Sequence, residues 1–218
     1  MTADAGTTNH QATTPVVELP PLPDGTKNEN PSGISFFTLL REDYATHDRR
    51  LSEPGLWAVW THRLGNWRMD IRPKLLRAPF SLLYKMMYLW VLWVWGIQLD
   101  YSIPVGRRLR IWHHGGMFLV ARSIGNDVHI RQNTTFGVKN RTELLSKPII
   151  EDRVEIGCGV TIVGDVRVGH DSIIAANTLV TRDVPPHALV LGVPGKVVKQ
   201  LDTPPAGDTH SEAGNVTG

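Results

Sequence analysis

From Ile150 onward the chain carries a β-branched aliphatic at every sixth position: Ile150, Ile156, Ile162, Val168, Ile174 and Val180. The residues four places after each, Val154, Val160, Val166, Ser172, Thr178 and Val184, are small or β-branched. Six residues turn an α-helix through about 600°, so a six-residue step holds no fixed helical face. The step suits a solenoid whose short strands meet at triangular corners, with three blocks to a coil. The leading aliphatic fills the prism and the smaller residue packs beside it at the turn. Two looser series precede this one. Phe118, Ile124, Ile130 and Phe136 lead the nearer, with Val128 and Thr134 as its small positions; Leu99, Val105 and Ile111 lead the earlier, with Ile103 and Leu109. The register slips by one residue near Met117. Between Phe136 and Ile150 the period is broken by GVKNRTELLSKPI, which predicts a projecting loop over 137–149. Loops on a repeat scaffold are where specificity usually sits.

Upstream the period is helical. Phe36, Phe37, Leu39 and Leu40 open one amphipathic segment, Pro54 and Gly55 punctuate, and Leu56, Trp57, Trp60, Leu64 and Trp67 form an apolar face. Pro73 and Pro79 begin further segments. The fold class expected is α+β: three or four short helices, then a parallel β-helix of hexapeptide repeats. The organisation expected is an unstructured segment at 1–33, helices at 34–97, the solenoid at 98–202 and an unstructured tail at 203–218. Both ends are poor in large apolar side chains and cannot offset the entropy of ordering.

Charge and cysteine usage narrow the function. A formal net charge of +2 without a dense basic run gives no case for nucleic acid. The single cysteine excludes an internal disulfide framework and a Cys-rich zinc site, and fits a reducing cytoplasm. The first residues lack a basic region followed by an apolar core, so no secretory leader is expected. The run MMYLWVLWVWGIQL from Met86 to Leu99 is shorter than the roughly 20 residues a spanning helix needs. A buried or subunit-interface helix is favoured there over contact with a membrane surface.

The segments GRRLRIWHHGGM (from Gly106) and IGNDVHIRQNTTFG (from Ile124), with the repeats from Ile150 and the closing LGVPGKVV, resemble the serine acetyltransferase type of the hexapeptide acyltransferase family. The resemblance covers about Gly96 to Val198. It implies a left-handed β-helix, a homotrimer with active sites between subunits, acetyl-CoA as co-substrate without a metal, and O-acetylation of a small acceptor. It also implies that His113 is the catalytic base, a role a neutral imidazole fills near pH 7. His114 is the rival or an acceptor contact; if both lie in a strand, only one faces the groove. The family's orienting carboxylate falls at Gln98, and Asp100 lies two residues on. Either could orient the imidazole. Where the family has an Asp that helps hold serine's amino group, this chain has Trp112; where it has an Arg-His pair, this chain has Ser146 and Lys147. These departures turn the expectation from serine toward a ring hydroxyl on a sugar or small metabolite, with Arg141 and Lys147 available to an anionic group. For the coenzyme, the resemblance implies Gly157, Cys158, Ala175 and Ala176 along the pantetheine arm, Thr135 and Gly137 near the thioester, and Lys196 and Lys199 near the phosphates.

Two other readings compete. His129 and His170, with His113 or His114, could be offered as zinc ligands gathered across a subunit interface in a carbonic anhydrase-like enzyme on the same scaffold, though three convergent ligands are a demanding geometry. A non-catalytic assembly protein is the second, prompted by Gln98 in place of a carboxylate.

Overall fold

The computed structural model describes residues 22, 24–140, 142 and 145–202. Three helices come first, α1 (Phe36–Thr46), α2 (Pro54–Trp67) and α3 (Lys74–Trp90). The Ser35 hydroxyl accepts from the Thr38 amide at 3.2 Å and so caps α1. Pro54 opens α2, where its missing N–H costs no hydrogen bond. Pro73 likewise precedes α3, but Pro79 lies inside that helix and begins nothing. A short π-helical turn, Val91–Trp95, follows and ends at Gly96, whose φ of 63° is left-handed.

The rest is a left-handed parallel β-helix with three faces. The first face stacks Ile97–Gln98, Met117–Leu119, Thr135–Gly137, Thr161–Val163 and Leu179–Val180. Ser123–Ile124, Ile149–Ile150 and Arg167–Val168 form the second. The third runs through Arg110–Trp112, His129–Arg131, Glu155–Ile156, Ile173–Ile174 and Ala188–Leu191, and an antiparallel strand, Lys196–Gln200, closes it. The hexapeptide register holds inside: Ile150, Ile156, Ile162, Val168, Ile174 and Val180 are all buried, as are the small positions from Val154 to Val184. Phe118 is the exception. It is 51% exposed, while Met117 and Leu119 on either side are buried. Strand alternation forces that outcome once the register has slipped at the glycines before Met117.

Polar contacts join helices to coils. Arg63 of α2 is fully buried; its Nε pairs with Asp43 of α1 at 3.1 Å. Its two terminal nitrogens donate to the Val105 and Gly106 carbonyls at 2.8 and 2.6 Å. His47, also buried, takes Nδ1 to the Asp43 carbonyl at 2.8 Å and receives the Ile111 amide on Nε2 at 3.4 Å. Those partners require the neutral ring with its proton on Nδ1, and burial pushes its pKa down to about 4. His62 sits beside this network, its Nε2 donating to the Ile103 carbonyl at 2.8 Å, with burial holding its pKa near 3.

Residues 24–33, expected to be unstructured, lie against the junction instead. The Glu29 amide donates to the Asn66 side chain at 2.8 Å, the Asn30 side chain to the Arg63 carbonyl at 3.0 Å, and the Tyr101 hydroxyl to the Gly25 carbonyl at 3.1 Å. Backbone and side-chain polar groups hold the segment there. Composition therefore misjudged it. Residues 1–21 and 203–218 lie outside the described residues.

Candidate functional site

On the third face, side chains one coil apart enclose a groove of about 390 Å³. Trp112 stands at one end and Ala175 and Ala176 at the other, with His129, Arg131, Glu155, Gly157 and Cys158 between. Strand pairing builds the walls: Arg110 lies beside His129, Trp112 beside Arg131, and His129 beside Glu155. The indole of Trp112 is stacked by the Arg110 guanidinium at 3.9 Å, with Arg131 at 5.8 Å and the His129 ring edge-on at 6.0 Å. Arg110 is held in turn by Asp48 at 2.6 Å and by the Thr46 carbonyl at the end of α1. A helix end thus fixes the orientation of Trp112. Burial lowers the His129 pKa, against the opposing charge of Glu155.

His113 follows Trp112 but does not continue the strand, which ends at Trp112. It has φ 63°, and Gly115 and Gly116 have φ 99° and 61°. The same left-handed backbone occurs at the corners Arg108, Asp127, Arg153 and Asn177, so at His113 it marks a turn and not stored strain. Both His113 and His114 are exposed in this bend. The strand alternation that would have separated their directions does not apply to them. The bend is held from outside: the Asn133 amide donates to the Gly115 carbonyl at 3.0 Å, and a Cβ on Gly116 would meet Asn133 Oδ1 at 2.7 Å.

The two candidate orienters differ. Asp100 accepts from the Ser102 amide at 2.8 Å, closing a turn at the helix-to-solenoid junction, and its charge helps raise the pKa values of Tyr84 and Tyr88 after burial. Among the described residues it makes no hydrogen bond to His113. Gln98 ends the strand Ile97–Gln98, which pairs with Met117–Phe118 directly after the His113–Gly116 bend. It is half-buried.

Of the residues assigned to coenzyme, Gly157, Cys158, Ala175 and Ala176 share the groove. Gly157 has a packing reason to be small, because a Cβ there would lie 2.6 Å from the Ala176 amide nitrogen of the next coil. Thr135 and Gly137 belong to the first face and do not meet these four within one chain. Lys196 and Lys199 are exposed on the closing strand of the third face. Lys147 is half-buried near the end of the loop between Gly137 and Ile149, where the Arg122 amide donates to the Pro148 carbonyl at 2.7 Å. Arg141 lies outside the described residues. Arg131 and Glu155 went unnoticed in the sequence; their signal was their outward position one coil from Trp112 and His129.

The proposed zinc histidines do not converge within the chain. Among the described residues one metal-sized grouping occurs, His170, Asp171 and His187, and it includes neither His113, His114 nor His129. There the Arg153 guanidinium already takes both Asp171 oxygens at 2.7 Å and, as the largest cause, pulls the carboxyl down to about 2. The cluster is an ion-pair network.

Comparisons with known proteins identify the family and the fold. Residues 147–182 match the family described as bacterial transferase hexapeptide (six repeats). The serine acetyltransferase of Mycobacterium tuberculosis is 33% identical over 155 residues, 71% of this chain and 65% of that protein. The chain thus spans just under two thirds of that relative. The Bacillus subtilis serine acetyltransferase is 30% identical over 177 residues, 76% of this chain and 78% of its own. The crystal structure of the Neisseria gonorrhoeae serine acetyltransferase superposes with a TM-score of 0.65 at 26% identity, covering 79% of this chain and 70% of that one. Its complex with serine gives 0.61 at 25% identity, covering 75% and 69%.

Proposed function

Because the chain belongs to the serine acetyltransferase family, we propose that it transfers an acetyl group from acetyl-CoA to the hydroxyl of a small acceptor, with His113 as base. The observation that carries this reading is the bend His113–Gly116, which presents two exposed imidazoles one and two residues beyond Trp112, itself at one end of a groove floored by small side chains. An alcohol is a weak nucleophile at neutral pH. The imidazole of His113 takes its proton as the oxygen attacks the thioester carbonyl. The carbon–sulfur bond breaks as the ester forms, and the same proton returns to the departing thiolate. Such a base contributes about 10²–10⁴-fold. Gln98 is the proposed positioning residue, a neutral acceptor toward the imidazole, since Asp100 is engaged by Ser102.

The groove suits a narrow acyl-carrying arm. Cys158, Ala175 and Ala176 offer backbone groups without long side chains in the way, and Lys196 and Lys199 on the same face supply charge for phosphates. Thr135 and Gly137 lie on a different face, so the reading takes them from a neighbouring protomer, in keeping with the homotrimer the resemblance implies. Lys147 and His114 are the proposed acceptor contacts.

Serine is the acceptor this reading favours, because the relatives are serine acetyltransferases. Trp112 supports a second reading. An indole held in place by Arg110 forms an apolar wall against which a sugar ring can stack, and it carries no carboxylate to pair with the amino group of serine. Thiol release from acetyl-CoA, measured with L-serine and with a panel of glycosides, decides between them. Turnover with serine supports the first; turnover only with ring hydroxyls keeps the chemistry and moves the acceptor. No thiol release with any hydroxyl would contradict the proposal and favour a non-catalytic role.

A further inference from the structure

We propose that the outer face of α3 docks on an anionic lipid surface, so that the protein works as a peripheral membrane protein lying flat on that surface. The helix has two unlike sides. Its inner side packs on the junction through Tyr84, which is buried against Tyr101 and beneath the Arg68 guanidinium, and through Val91 just beyond the helix end. The opposite side, where the sequence favoured burial or a subunit interface, is apolar and uncovered within the chain. Leu75, Leu82 and Met86 are 85%, 61% and 62% exposed. At about 100° per residue these three fall within about 40° of one another, nearly opposite Tyr84. Leu76, Leu83 and Trp90 widen the stripe, and Trp93 and Val94 in the following turn extend it. A helix of 17 residues makes this strip about 25 Å long.

Charge identifies what covers it. From Ile71 to Leu99 the chain contains no Asp or Glu, and its charged residues are Arg72, Lys74, Arg77 and Lys85. Lys74 and Lys85 are exposed and border the apolar stripe on one edge. A second copy packed on the same face would bring the same cations and no carboxylate of this segment to meet them. A bilayer with anionic headgroups supplies the missing negative charge at the stripe's edge and an apolar layer beneath it. Tryptophans such as Trp90 and Trp93 are at home at that boundary. Among the described residues no helix is long and apolar enough to cross a membrane, so the helix lies on the surface. Pro79 fits the same side, where the Leu75 carbonyl it leaves unpaired would face headgroups and water.

The test is co-sedimentation of the full chain with vesicles of phosphatidylcholine alone and of phosphatidylcholine with phosphatidylglycerol. The expected result is binding to the phosphatidylglycerol vesicles, weakened by salt, with little binding to the neutral ones. Lys74→Glu with Lys85→Glu should weaken binding at least about 25-fold, at roughly fivefold per lysine. Met86→Asp should abolish it. Both variants alter exposed positions, and an unchanged thermal transition would confirm that each is folded. Equal binding by wild type and both folded variants, or no binding to either vesicle, overturns the proposal. So does a sedimentation shift to a smaller species in Met86→Asp without lipid, which would make this face an interface between copies.

Discussion

The solenoid interior and the helix–solenoid junction are both buried, yet they are built from opposite materials. The interior is aliphatic and repetitive, with each Ile or Val resting on its counterpart one coil away. The junction is polar and singular. Asp43, His47, His62, Arg63 and Asn66 are buried there, each held by its own side-chain hydrogen bonds. The interior gains its stability from area removed from water, about 1.5–3 kcal/mol per inward side chain. The junction contributes specificity of docking, because a buried charge tolerates only an arrangement that satisfies it.

This contrast predicts how the two regions fail. Ile162 is fully buried, and Ile162→Asn removes its apolar contacts and strands an amide, for a loss of about 4–6 kcal/mol. Arg63→Ala leaves the Asp43 carboxylate buried without its partner and should cost about 3–5 kcal/mol. Urea unfolding would measure both. If Arg63→Ala were as mild as a surface change, the junction would not be the ionic lock described.

The pH response sharpens the contrast, since the interior has nothing to titrate. His47 has a native pKa of about 4 against an ordinary value of 6.5. Above 6.5 both states hold it neutral and its full contribution is present. As pH falls from 6.5 to 4 the unfolded chain binds a proton that the native chain refuses. Stability then drops by about 1.4 kcal/mol per pH unit for this residue, and levels off below 4. His62 adds to the same slope. Unfolding free energies at pH 7, 6 and 5 should fall less steeply in His47→Gln than in wild type. Identical slopes would mean His47 is not buried neutral. The smallest effect belongs to Arg167→Asn. It removes a part-exposed pair with Glu151 at 2.7 Å and should cost less than about 1 kcal/mol. Equal melting temperatures for Ile162→Asn and Arg167→Asn would refute the register.

What was legible in the sequence follows the same division. A repeat announces its interior because each role recurs every six residues, so Ile150 to Val180 could be placed without knowing the rest. Phe118 was misplaced because the slip at Gly115 and Gly116 falls between two series, where no period fixes a residue to a face. The junction has no period at all. That Arg63 reaches Asp43, Val105 and Gly106 depends on how helices dock on coils, and residues 24–33 are ordered by single hydrogen bonds that composition cannot reveal. At the site, Trp112, named for the acceptor, and Gly157, Cys158, Ala175 and Ala176, named for the coenzyme, share a groove. Asp100 was a candidate by strand alternation, but the chain turns at Ser102 and engages it there. The two histidines were treated as strand residues, and the left-handed bend after Trp112 removes that distinction.

The central claim rests on one imidazole at that bend. The most direct measurement is kcat for thiol release from acetyl-CoA by wild type, His113→Ala and His114→Ala with whichever hydroxyl acceptor the panel identifies. The account predicts a loss of about 10²–10⁴-fold for His113→Ala and a far smaller one for His114→Ala. Undiminished turnover in His113→Ala would contradict it.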